Sequence, residues 1–343
     1  MKAAILNQHG DPSVFEISDV DIRKIDDFEI KIDVKSFALN HLDLWIRRGN
    51  PAWTIPFPHI SGTDMAGVVS EIGTKVKGVS IGDRVTVNPG ISCLRCKYCR
   101  LGQQSMCRTF HILGSGAWGG AAEQVIVPNK NVIKMPDSIS FEHGAAAPLT
   151  FLTVYRMLRT KAKIMEGEKV LVLGAGGGVG TAAIQLIKEM GGESIALTST
   201  QDKMDKCKEI GATHVLNYRD NEDWDQSVLE ITENEGVNIV IDPVGEKTWE
   251  KAINTLSKGG RLVSVGATTG PRGITPIRNI FAKQISIFGS YMGTDDEFRA
   301  VMSMFFNGKV SPVIDKVYQI EEISSAHARL ESGNHFGKIV LNV

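Results

Sequence analysis

Four cysteines stand close together in the segment CLRCKYCRLGQQSMC, at residues 93–107. They follow the pattern CxxCxxC, then seven residues and a fourth cysteine, which makes the set Cys93, Cys96, Cys99 and Cys107. Four thiolates from one short segment can surround Zn²⁺ as a tetrahedron and leave no open position for a substrate. The spacing predicts one structural zinc ion, with a catalytic zinc or a redox-active disulfide as alternatives. The fifth cysteine, Cys207, is expected to be a small buried side chain.

A glycine-rich stretch, GAGGGVG at residues 174–180, follows the apolar segment KVLVL and opens the helical pattern TAAIQLIKEM. Glycine lets the backbone turn tightly and approach a pyrophosphate, while the helix N-terminus presents amide donors. Strand, loop and helix in this order predict a dinucleotide site rather than a plain turn. The residues expected to contact the cofactor are Ala175, Gly177, Gly178, Val179 and Gly180, together with Gly266 at the end of the strand-like RLVSVG.

The end of the next strand bears on the choice of dinucleotide, because an acidic residue there would hydrogen-bond the ribose 2′-hydroxyl of NAD. This strand ends in Thr198-Ser199-Thr200. These small hydroxyls, with Lys203 just beyond and Tyr218-Arg219 after the third strand, leave room and positive charge for a 2′-phosphate. The cofactor candidates here are Ser199, Lys203 and Tyr218. We expect NADP(H) to be favoured over NAD(H), although nearby Asp202 could serve NAD.

The elements that must position these groups change character near residue 150. Before it, segments such as FEIKIDV alternate apolar and polar residues, which predicts antiparallel strands. After it, apolar strands alternate with helices, which is typical of a parallel, doubly wound sheet. A chain of 343 residues exceeds what one hydrophobic core usually organises, so we expect two domains.

Composition points to a small-molecule partner. A formal charge of −1 provides no basic surplus for nucleic acid or an anionic membrane, and the apolar share of 42% is ordinary for a globular protein. The start MKAAILNQHGD is too short in apolar residues for a signal-peptide core, and no later run approaches a membrane span. We therefore expect a cytoplasmic protein that binds neither nucleic acid nor membrane.

Across nearly its whole length the chain resembles the medium-chain dehydrogenases and reductases. The cysteine segment resembles their structural zinc loop, and GAGGGVG resembles the AxGxxG variant of their cofactor motif, with Ala175, Gly177 and Gly180 in register. The resemblance implies an α/β fold. A GroES-like, β-rich catalytic domain would comprise residues 1–147 and 291–343, with the zinc lobe at about 90–110, and a Rossmann NAD(P)-binding domain would comprise residues 148–290.

The same resemblance implies an active site in the cleft and a homodimer or homotetramer. In such oligomers a strand like ISIFGS, residues 285–290, extends the sheet across the subunit contact.

Zinc alcohol dehydrogenases of this family hold a catalytic zinc with a Cys, the His of a Gly-His-Glu motif, and a third Cys or acid. The chain departs at each place, with Asn40 in FALNHLDLW, Gly62-Thr63-Asp64 in ISGTDMAG, and neither Cys nor acid between Pro148 and Tyr155. Leu42 stands where these enzymes carry the hydroxyl of their proton relay. The oxygen and amide groups that remain differ from the ligands of known catalytic zinc sites.

These replacements resemble the zeta-crystallin-like quinone reductases and the related enoyl reductases, which transfer hydride without a catalytic metal. Most members of that branch lack the cysteine segment. Without a Lewis acid, the easier hydride acceptor is a carbon conjugated to a carbonyl group. The expected activity is NADPH-dependent reduction of an enone, a quinone or a 2-enoyl thioester. The alternatives are a zinc-type alcohol dehydrogenase and a non-catalytic NADPH-binding protein.

Candidate catalytic groups lie at and beside the replaced positions. The enolate that develops would need hydrogen-bond donors, and the candidates are the Asn40 amide, the Thr63 hydroxyl and a cofactor ribose hydroxyl. Asp64, beside Thr63, is a further candidate catalytic residue. His59 or His41 could donate the proton that completes the reduction, since histidine titrates near neutral pH. The alternative for each histidine is a hydrogen-bonded structural role.

By resemblance, Thr153 lies against the nicotinamide, and Lys338, in FGKIVL, lies near the cleft and the cofactor phosphates. The alternative for Lys338 is a solvated charge on a strand. Asp43 is expected to orient its neighbours rather than act as a base. Five aromatic residues are candidate pocket walls or, equally, core residues: Trp45, Trp53, Phe57, Phe110 and Trp118.

Overall fold

The computed structural model describes residues 1–50 and 54–343, so the pocket-wall candidate Trp53 lies outside the described residues. The chain divides into two compact units, Met1–Leu149 with Gly293–Val343, and Thr150–Met292. The predicted domain boundaries lie two residues before each of these junctions. None of the helices in the described ranges combines the length and apolar character that crossing a bilayer requires.

The strands of the described residues are, in chain order, β1 (Lys2–Leu6), β2 (Phe15–Asp19), β3 (Glu29–Ala38), β4 (His59–Ile60), β5 (Asp64–Ile72), β6 (Arg84–Val87), β7 (Gly90–Ile91), β8 (His111–Ile112), β9 (Gln124–Pro128), β10 (Val132–Lys134), β11 (Lys169–Leu173), β12 (Glu193–Thr198), β13 (His214–Asn217), β14 (Val237–Asp242), β15 (Leu256–Ser264), β16 (Ser286–Gly289), β17 (Ile314–Gln319) and β18 (Lys338–Asn342).

The α-helices are α1 (His41–Arg48), α2 (Lys97–Arg100), α3 (Phe141–Ala146), α4 (Pro148–Tyr155), α5 (Gly178–Glu189), α6 (Gln201–Glu209), α7 (Trp224–Ile231), α8 (Trp249–Asn254), α9 (Ile277–Ala282), α10 (Asp295–Phe306) and α11 (Ile323–Ser332). Short 3₁₀ turns cover Pro12–Val14, Gln104–Met106, Asn129–Asn131 and Ile320–Glu322, and a π-helix covers Arg156–Ala162.

The first unit is built mainly on antiparallel strands, as the alternating pattern predicts. Its larger sheet has the order β10-β6-β5-β3-β18-β17, with β9 also paired to β3, and a smaller sheet has the order β2-β1-β4. In β3 the apolar side chains of Ile30, Ile32 and Val34 are buried, while Lys31 and Asp33 between them are less so. This two-residue period places one face of the strand in the core of the unit.

Strand pairing gathers three polar residues at one end of this sheet. Ala38, near the end of β3, is opposite Asp64 at the start of β5 and opposite Val340 in β18. Asn40 follows β3 by two residues, and Lys338 is the first residue of β18. The pairing therefore brings together Asn40, Asp64 and Lys338, which are widely separated along the chain.

Helix α1 begins directly after Asn40, whose backbone N–H donates to the Asp43 carboxylate at 2.8 Å. A carboxylate in the first turn and basic residues in the last turn, Arg47 and Arg48, complement the helix dipole. The helix ends at Gly49, which has a φ of 86°. These local signals hold the Asn40 end of the helix in a defined position.

The second unit contains a six-stranded sheet in the order β13-β12-β11-β14-β15-β16, with every neighbouring pair parallel. The predicted doubly wound sheet is therefore confirmed. Its first strand, β11, lies between β12 and β14, so the direction of winding reverses there. In such sheets ligands bind outside the carboxyl ends of the strands at this switch point. The glycine-rich loop at residues 174–177 begins at that end of β11.

Candidate functional site

Asn40, Asp64 and Lys338 form one buried hydrogen-bonded network. The Asn40 Nδ2 group donates to Asp64 Oδ2 at 2.9 Å, and Lys338 Nζ donates to Asn40 Oδ1 at 2.5 Å and to Asp64 Oδ2 at 3.0 Å. The other carboxylate oxygen, Asp64 Oδ1, accepts the backbone N–H of Leu149 at 2.9 Å. Lys338 is 3% exposed, so the alternative of a solvated strand charge is wrong.

Asp43 joins the two backbone segments that carry this network. Its carboxylate accepts the backbone N–H of Asn40 at 2.8 Å and that of Gly62 at 3.0 Å. Burial raises the pKa of Asp43 to about 6, against the opposing effects of these two N–H groups and of Lys338. These contacts support the orienting role expected for Asp43.

Thr63 lies between Gly62 and Asp64 and is fully buried. Its Oγ1 has no hydrogen-bond partner among residues 1–50 and 54–343. A buried hydroxyl without a partner is costly, because it has lost water and gained nothing in exchange. The hydroxyl is therefore available to a group that binds beside it.

The two candidate histidines differ in their surroundings. His59 is buried in β4, and its Nε2 lies 2.8 Å from the carbonyl oxygen of Gly114, which can only accept a hydrogen bond. Burial lowers the pKa of His59 despite that contact, so its Nε2 carries the proton of a neutral ring. His41 starts α1, packs edge-on against Trp45 at 5.0 Å between ring centroids, and has a pKa lowered by burial.

Sequence reasoning missed the partners of Lys338. By resemblance the residue was expected near the cleft and the cofactor phosphates; its ammonium contacts Asn40, 298 positions away, and Asp64, 274 positions away. No local motif signals contacts at such separations. The signal available in the sequence was the position of Lys338 at the start of the last strand, KIVLN, which pairs with strands of the first unit.

The described aromatic pocket candidates are all at least partly exposed. Phe57 is 39% and Trp118 is 37% exposed, whereas Trp45 and Phe110 are half-buried. The indole N–H of Trp118 donates to the carbonyl oxygen of Pro58 at 3.3 Å. None of these four side chains is a fully buried core residue.

The four cysteines of the first unit converge on one point. Their Sγ atoms all lie within 4.8 Å of one another, with Cys96 to Cys99 at 3.6 Å and Cys93 to Cys99 at 4.0 Å. Four sulfurs about 2.3 Å from a tetrahedral zinc ion lie about 3.8 Å apart, so the geometry fits this metal. The backbone N–H of Cys93 donates to the sulfur of Cys107 at 3.3 Å, which favours its thiolate. Cys207, in contrast, is fully buried in α6, as predicted.

In the second unit the glycines of the cofactor loop serve two different needs. A Cβ at Gly180 would lie 2.5 Å from both Ala175 Cα and Gly174 O, so this glycine permits close packing of α5 on the loop. A Cβ at Gly177 would meet only Gly174 O, at an ordinary 3.5 Å, and its φ of −85° suits any residue. Nothing within the described chain requires glycine at 177. The absence of a side chain at this position leaves room for a phosphate group to approach the backbone.

The remaining residues of this loop frame the start of a helix. Gly178 and Val179 form the first turn of α5, whose free N–H groups and dipole favour an anion. Gly266 follows β15, and a Cβ there would lie 2.7 Å from the carbonyl oxygen of Pro243. Thr153 is buried in α4, with 3% of its surface exposed.

The ends of β12 and β13 bring the predicted 2′-phosphate groups close together. Thr198 is opposite Asn217, so Ser199 and Tyr218 follow neighbouring strand ends, and Tyr218 is 43% exposed. Arg219 is exposed at the same edge. The alternative NAD ligand, Asp202, pairs with Lys206 at 2.8 Å along the exposed face of α6.

Lys203 differs from these exposed groups because only 8% of its surface is accessible. Burial raises the pKa of the Cys207 thiol to about 12, and the positive charge of Lys203, within the same helix, opposes this rise. Lys203 is thus a buried residue of α6 rather than a solvated charge.

Two family models match the chain in succession. The model described as "Alcohol dehydrogenase GroES-like domain" matches residues 26–137, and the model described as "Zinc-binding dehydrogenase" matches residues 178–307. The first model matches part of the antiparallel unit, and the second matches the parallel unit from the start of α5 and continues through α10 of the first unit.

Two curated relatives align over nearly their full lengths. An NAD-dependent alcohol dehydrogenase of Sulfolobus acidocaldarius is 30% identical over 350 residues, covering 100% of both chains. A quinone oxidoreductase of Lama guanicoe is 29% identical, covering 99% of this chain and 97% of its own.

Two solved structures have a similar fold. One, described as an NAD-dependent alcohol dehydrogenase, is 37% identical with a TM-score of 0.96 and full coverage of both chains. A crotonyl-CoA carboxylase/reductase is 26% identical with a TM-score of 0.94, covering 100% of this chain and 88% of its own.

These matches, with the parallel sheet and its glycine loop, define an oxidoreductase that uses a nicotinamide cofactor. The chain belongs to the medium-chain dehydrogenase/reductase superfamily. The predicted fold class, a GroES-like domain with a Rossmann domain, is confirmed.

The two glycines predict opposite outcomes for the same substitution. Gly177→Ala should leave the thermal midpoint within about 2 °C of the wild type, yet weaken dinucleotide binding about tenfold, because its methyl group meets the ligand rather than the protein. Gly180→Ala should lower the midpoint by about 5 °C, because its Cβ meets backbone atoms. Calorimetry and cofactor fluorescence titration measure both effects. A Gly177→Ala protein that unfolds early but binds normally would contradict the assignment.

The cysteine geometry predicts one zinc ion per chain, held in the first unit. Cys96→Ser should lower the zinc content and the thermal midpoint together, because metal binding and local folding are coupled. The control is Cys207→Ser, which removes a buried thiol elsewhere and should leave the zinc content unchanged. Elemental analysis of the purified proteins gives the answer. A wild-type protein that is stable without zinc would rule out the structural role.

Proposed function

We propose that this protein is an NADPH-dependent reductase of activated carbon–carbon double bonds, such as those of enones, quinones or 2-enoyl thioesters. The observation that carries the proposal is the network of Asn40, Asp64 and Lys338. Asn40 stands where zinc alcohol dehydrogenases are expected to carry the Cys ligand of their catalytic metal, and Asp64 stands at the Glu of their Gly-His-Glu motif, next to the position of the His ligand. Here their side chains bind each other and a lysine.

The oxygens of this network are already occupied by donors. Asp64 accepts three hydrogen bonds, one of them from an ammonium group, and Asn40 Oδ1 accepts another from that ammonium. A divalent cation at the same oxygens would meet a fixed positive charge at close range. The geometry therefore favours activation of the substrate by N–H and O–H donors.

Donors of this kind stabilise developing charge less strongly than a metal ion does. The site therefore suits a substrate that needs less stabilisation of that charge. In a conjugated acceptor, hydride adds at the β-carbon, and the negative charge spreads to the carbonyl oxygen. When bound, the nicotinamide cofactor supplies that hydride. A conjugated acceptor thus needs less help from the protein than an isolated carbonyl group.

The residues of the first unit have distinct roles in this reaction. The second Nδ2 hydrogen of Asn40 and the hydroxyl of Thr63 donate to the acceptor oxygen, and Asp43 holds the backbone segments from which both project. His59 is committed to the carbonyl of Gly114, which leaves His41 as the candidate proton donor. Burial lowers the pKa of His41 as it does that of His59, so the His41 ring would take up a proton from solvent before it passes that proton to the substrate carbon.

An alcohol dehydrogenase is the second candidate function. The retained cysteine cluster and the relatives named as alcohol dehydrogenases favour it, while the relatives named as quinone oxidoreductase and crotonyl-CoA carboxylase/reductase favour the reductase. Alcohol dehydrogenase is the more frequent name among the relatives and solved structures. The hydrogen-bonded network is the feature that favours the reductase.

We also propose NADPH as the preferred cofactor. Ser199 and Thr200, which carry hydroxyls, follow the end of β12, and Tyr218 and the exposed Arg219 follow the end of β13, where a 2′-phosphate would lie. Asp202 is engaged with Lys206 instead. The relatives named as NAD-dependent favour the other cofactor, so a preference for NADPH would distinguish this protein from them.

For the oligomeric state we propose a homodimer or a dimer of dimers formed through β16. This strand is at the edge of the six-stranded sheet, and large apolar side chains nearby are exposed, Ile277 at 72% and Phe281 at 70%. Unpaired strand edges beside apolar surface favour pairing with another chain. A second copy would continue the sheet and cover these side chains.

The position of hydride addition tests the proposed reaction. With deuterated NADPH and but-3-en-2-one, label should appear at the β-carbon of a saturated ketone. Label at the carbonyl carbon of an allylic alcohol would instead assign the protein as an alcohol dehydrogenase.

Asn40→Ala and Thr63→Val should each lower kcat by about tenfold to a hundredfold at unchanged NADPH affinity, because they remove donors to developing charge. Thr74→Val, on the surface, is the control and should have no effect.

Cofactor preference is testable by charge reversal at Arg219. Arg219→Glu should weaken NADPH binding by about tenfold and leave NADH binding nearly unchanged, because only NADPH carries the 2′-phosphate. Lys208→Glu, the same type of reversal at the far end of α6, is the matched control. Equal losses for both cofactors, or tighter NADH binding by the wild type, would refute the preference.

The proposed contact predicts that Phe281→Asp converts the oligomer to smaller species, since it places a charge on the covered apolar surface. Sedimentation velocity measures this change. Ile81→Asp, at another exposed apolar residue, should leave the assembly intact. A wild-type monomer would exclude the contact.

A further inference from the structure

We propose that Lys338 is the residue that activates the acceptor, by holding a fixed positive charge on the Asn40 amide where negative charge develops on the substrate oxygen. The proposal gives Lys338 a polarising and positioning role in hydride transfer, beyond any contact with cofactor phosphates. It rests on the proposed function in one respect, namely that the acceptor oxygen binds beside Asn40.

The backbone holds Lys338 firmly in place. Its N–H donates to the carbonyl oxygen of Val313 at 2.8 Å, and it opens β18 opposite Ile314. The preceding residue, Gly337, has a φ of +91°, and a Cβ there would lie 2.3 Å from the same carbonyl oxygen. The chain can enter the strand this way only with glycine at 337. The ammonium is thus aimed from a rigid strand end and not from a loop.

Two hydrogen bonds of Lys338 determine how the Asn40 amide is oriented. The ammonium only donates, so the atom that faces it at 2.5 Å must be the amide oxygen. The nitrogen then faces Asp64 Oδ2, and one of its hydrogens is used there at 2.9 Å. The other hydrogen of Asn40 has no partner in the described part of the chain. Lys338 therefore leaves one N–H of known orientation available for a ligand.

The same contact makes that N–H a stronger donor. A cation at the amide oxygen draws electron density from the nitrogen, and so opposes the density that Asp64, which accepts from the same nitrogen, returns to it. Asn40 is 7% exposed and Asp64 is fully buried, so water screens little of the effect. An amide polarised in this way stabilises an enolate oxygen better than a free asparagine does.

The negative charges of Asp43 and Asp64 favour a cation at the position of Lys338. Asp64 and Asp43 are both buried, and the charge of Asp64 raises the pKa of Asp43 while that of Lys338 lowers it. An enolate would add another negative charge beside them. Lys338 offsets the repulsion between the enolate and these carboxylates, so the negative charge of the enolate develops beside a carboxylate that is already paired with a cation.

The decisive experiment separates cofactor affinity from the rate of hydride transfer. In Lys338→Met, the dissociation constant of NADPH, measured by fluorescence, should change by about twofold or less, whereas single-turnover hydride transfer should slow by about a hundredfold. Lys338→Arg, which keeps the charge, should retain more of the rate. Lys316→Met, on neighbouring β17 and exposed, is the matched control and should behave like the wild type.

Small amines and a charge-balanced variant keep the test open if Lys338→Met folds poorly. Ethylammonium should partly restore hydride transfer in Lys338→Ala and should not do so in Asn40→Ala. The double variant Lys338→Met/Asp64→Asn removes both charges of the pair and so avoids an unpaired buried carboxylate. A folded double variant should remain slow. If it recovers the wild-type rate, Lys338 merely neutralises Asp64, and the proposal is overturned.

A loss of NADPH affinity as large as the loss of rate would also overturn the proposal, because it would assign Lys338 to the cofactor phosphates. The measurements are made with an enone and with an aldehyde. Both acceptors develop negative charge on oxygen, so the effect of Lys338 should appear with whichever one the protein reduces. The position of the deuterium label then reports separately on the proposed function.

Discussion

The first unit depends on one buried carboxylate, that of Asp64. It accepts hydrogen bonds from Asn40 at the start of α1, from Leu149 in α4 and from Lys338 at the start of β18. A fully buried carboxylate is tolerated only when such donors replace its water. The three donors come from segments that are distant along the chain, so the carboxylate can be satisfied only when the sheet has its observed pairing. The hydrogen bonds of Asp64 therefore form the candidate site and also join the distant segments of the first unit.

The zinc lobe follows a different rule because its ligands are local. All four cysteines lie within residues 93–107, and their sulfurs lie together within that one segment. A metal bound there stabilises a lobe whose geometry owes little to Asn40 or Asp64. This independence explains how one chain can combine the cysteine cluster of zinc alcohol dehydrogenases with site residues that resemble those of metal-free reductases.

Local signals made part of this structure predictable from the sequence. The spacing of the cysteines, the glycines after β11 and the change from alternating to apolar strands each reflect neighbours in the chain, and the parallel sheet and the grouped thiolates follow from them. The partners of Lys338 could not be predicted, because they depend on the register of β18 against β3. The burial of Lys203 was missed for a related reason, since a lysine within a polar helix gives no sign of the surface that it packs against.

A fixed ammonium constrains chemistry in a way that a metal ion does not. A metal can bind the substrate oxygen directly and polarise it by several kcal/mol, so it can activate an isolated carbonyl group or an alcohol. Lys338 has two of its three hydrogens on Asn40 and Asp64, so in the proposed reaction it acts on a substrate through the Asn40 amide. The stabilisation that passes through such an amide is that of charge-assisted hydrogen bonds, about 1.5–3 kcal/mol each. Such a site is effective where the substrate already delocalises its own charge. Activation through the Asn40 amide thus favours conjugated acceptors, whatever the shape of the substrate pocket.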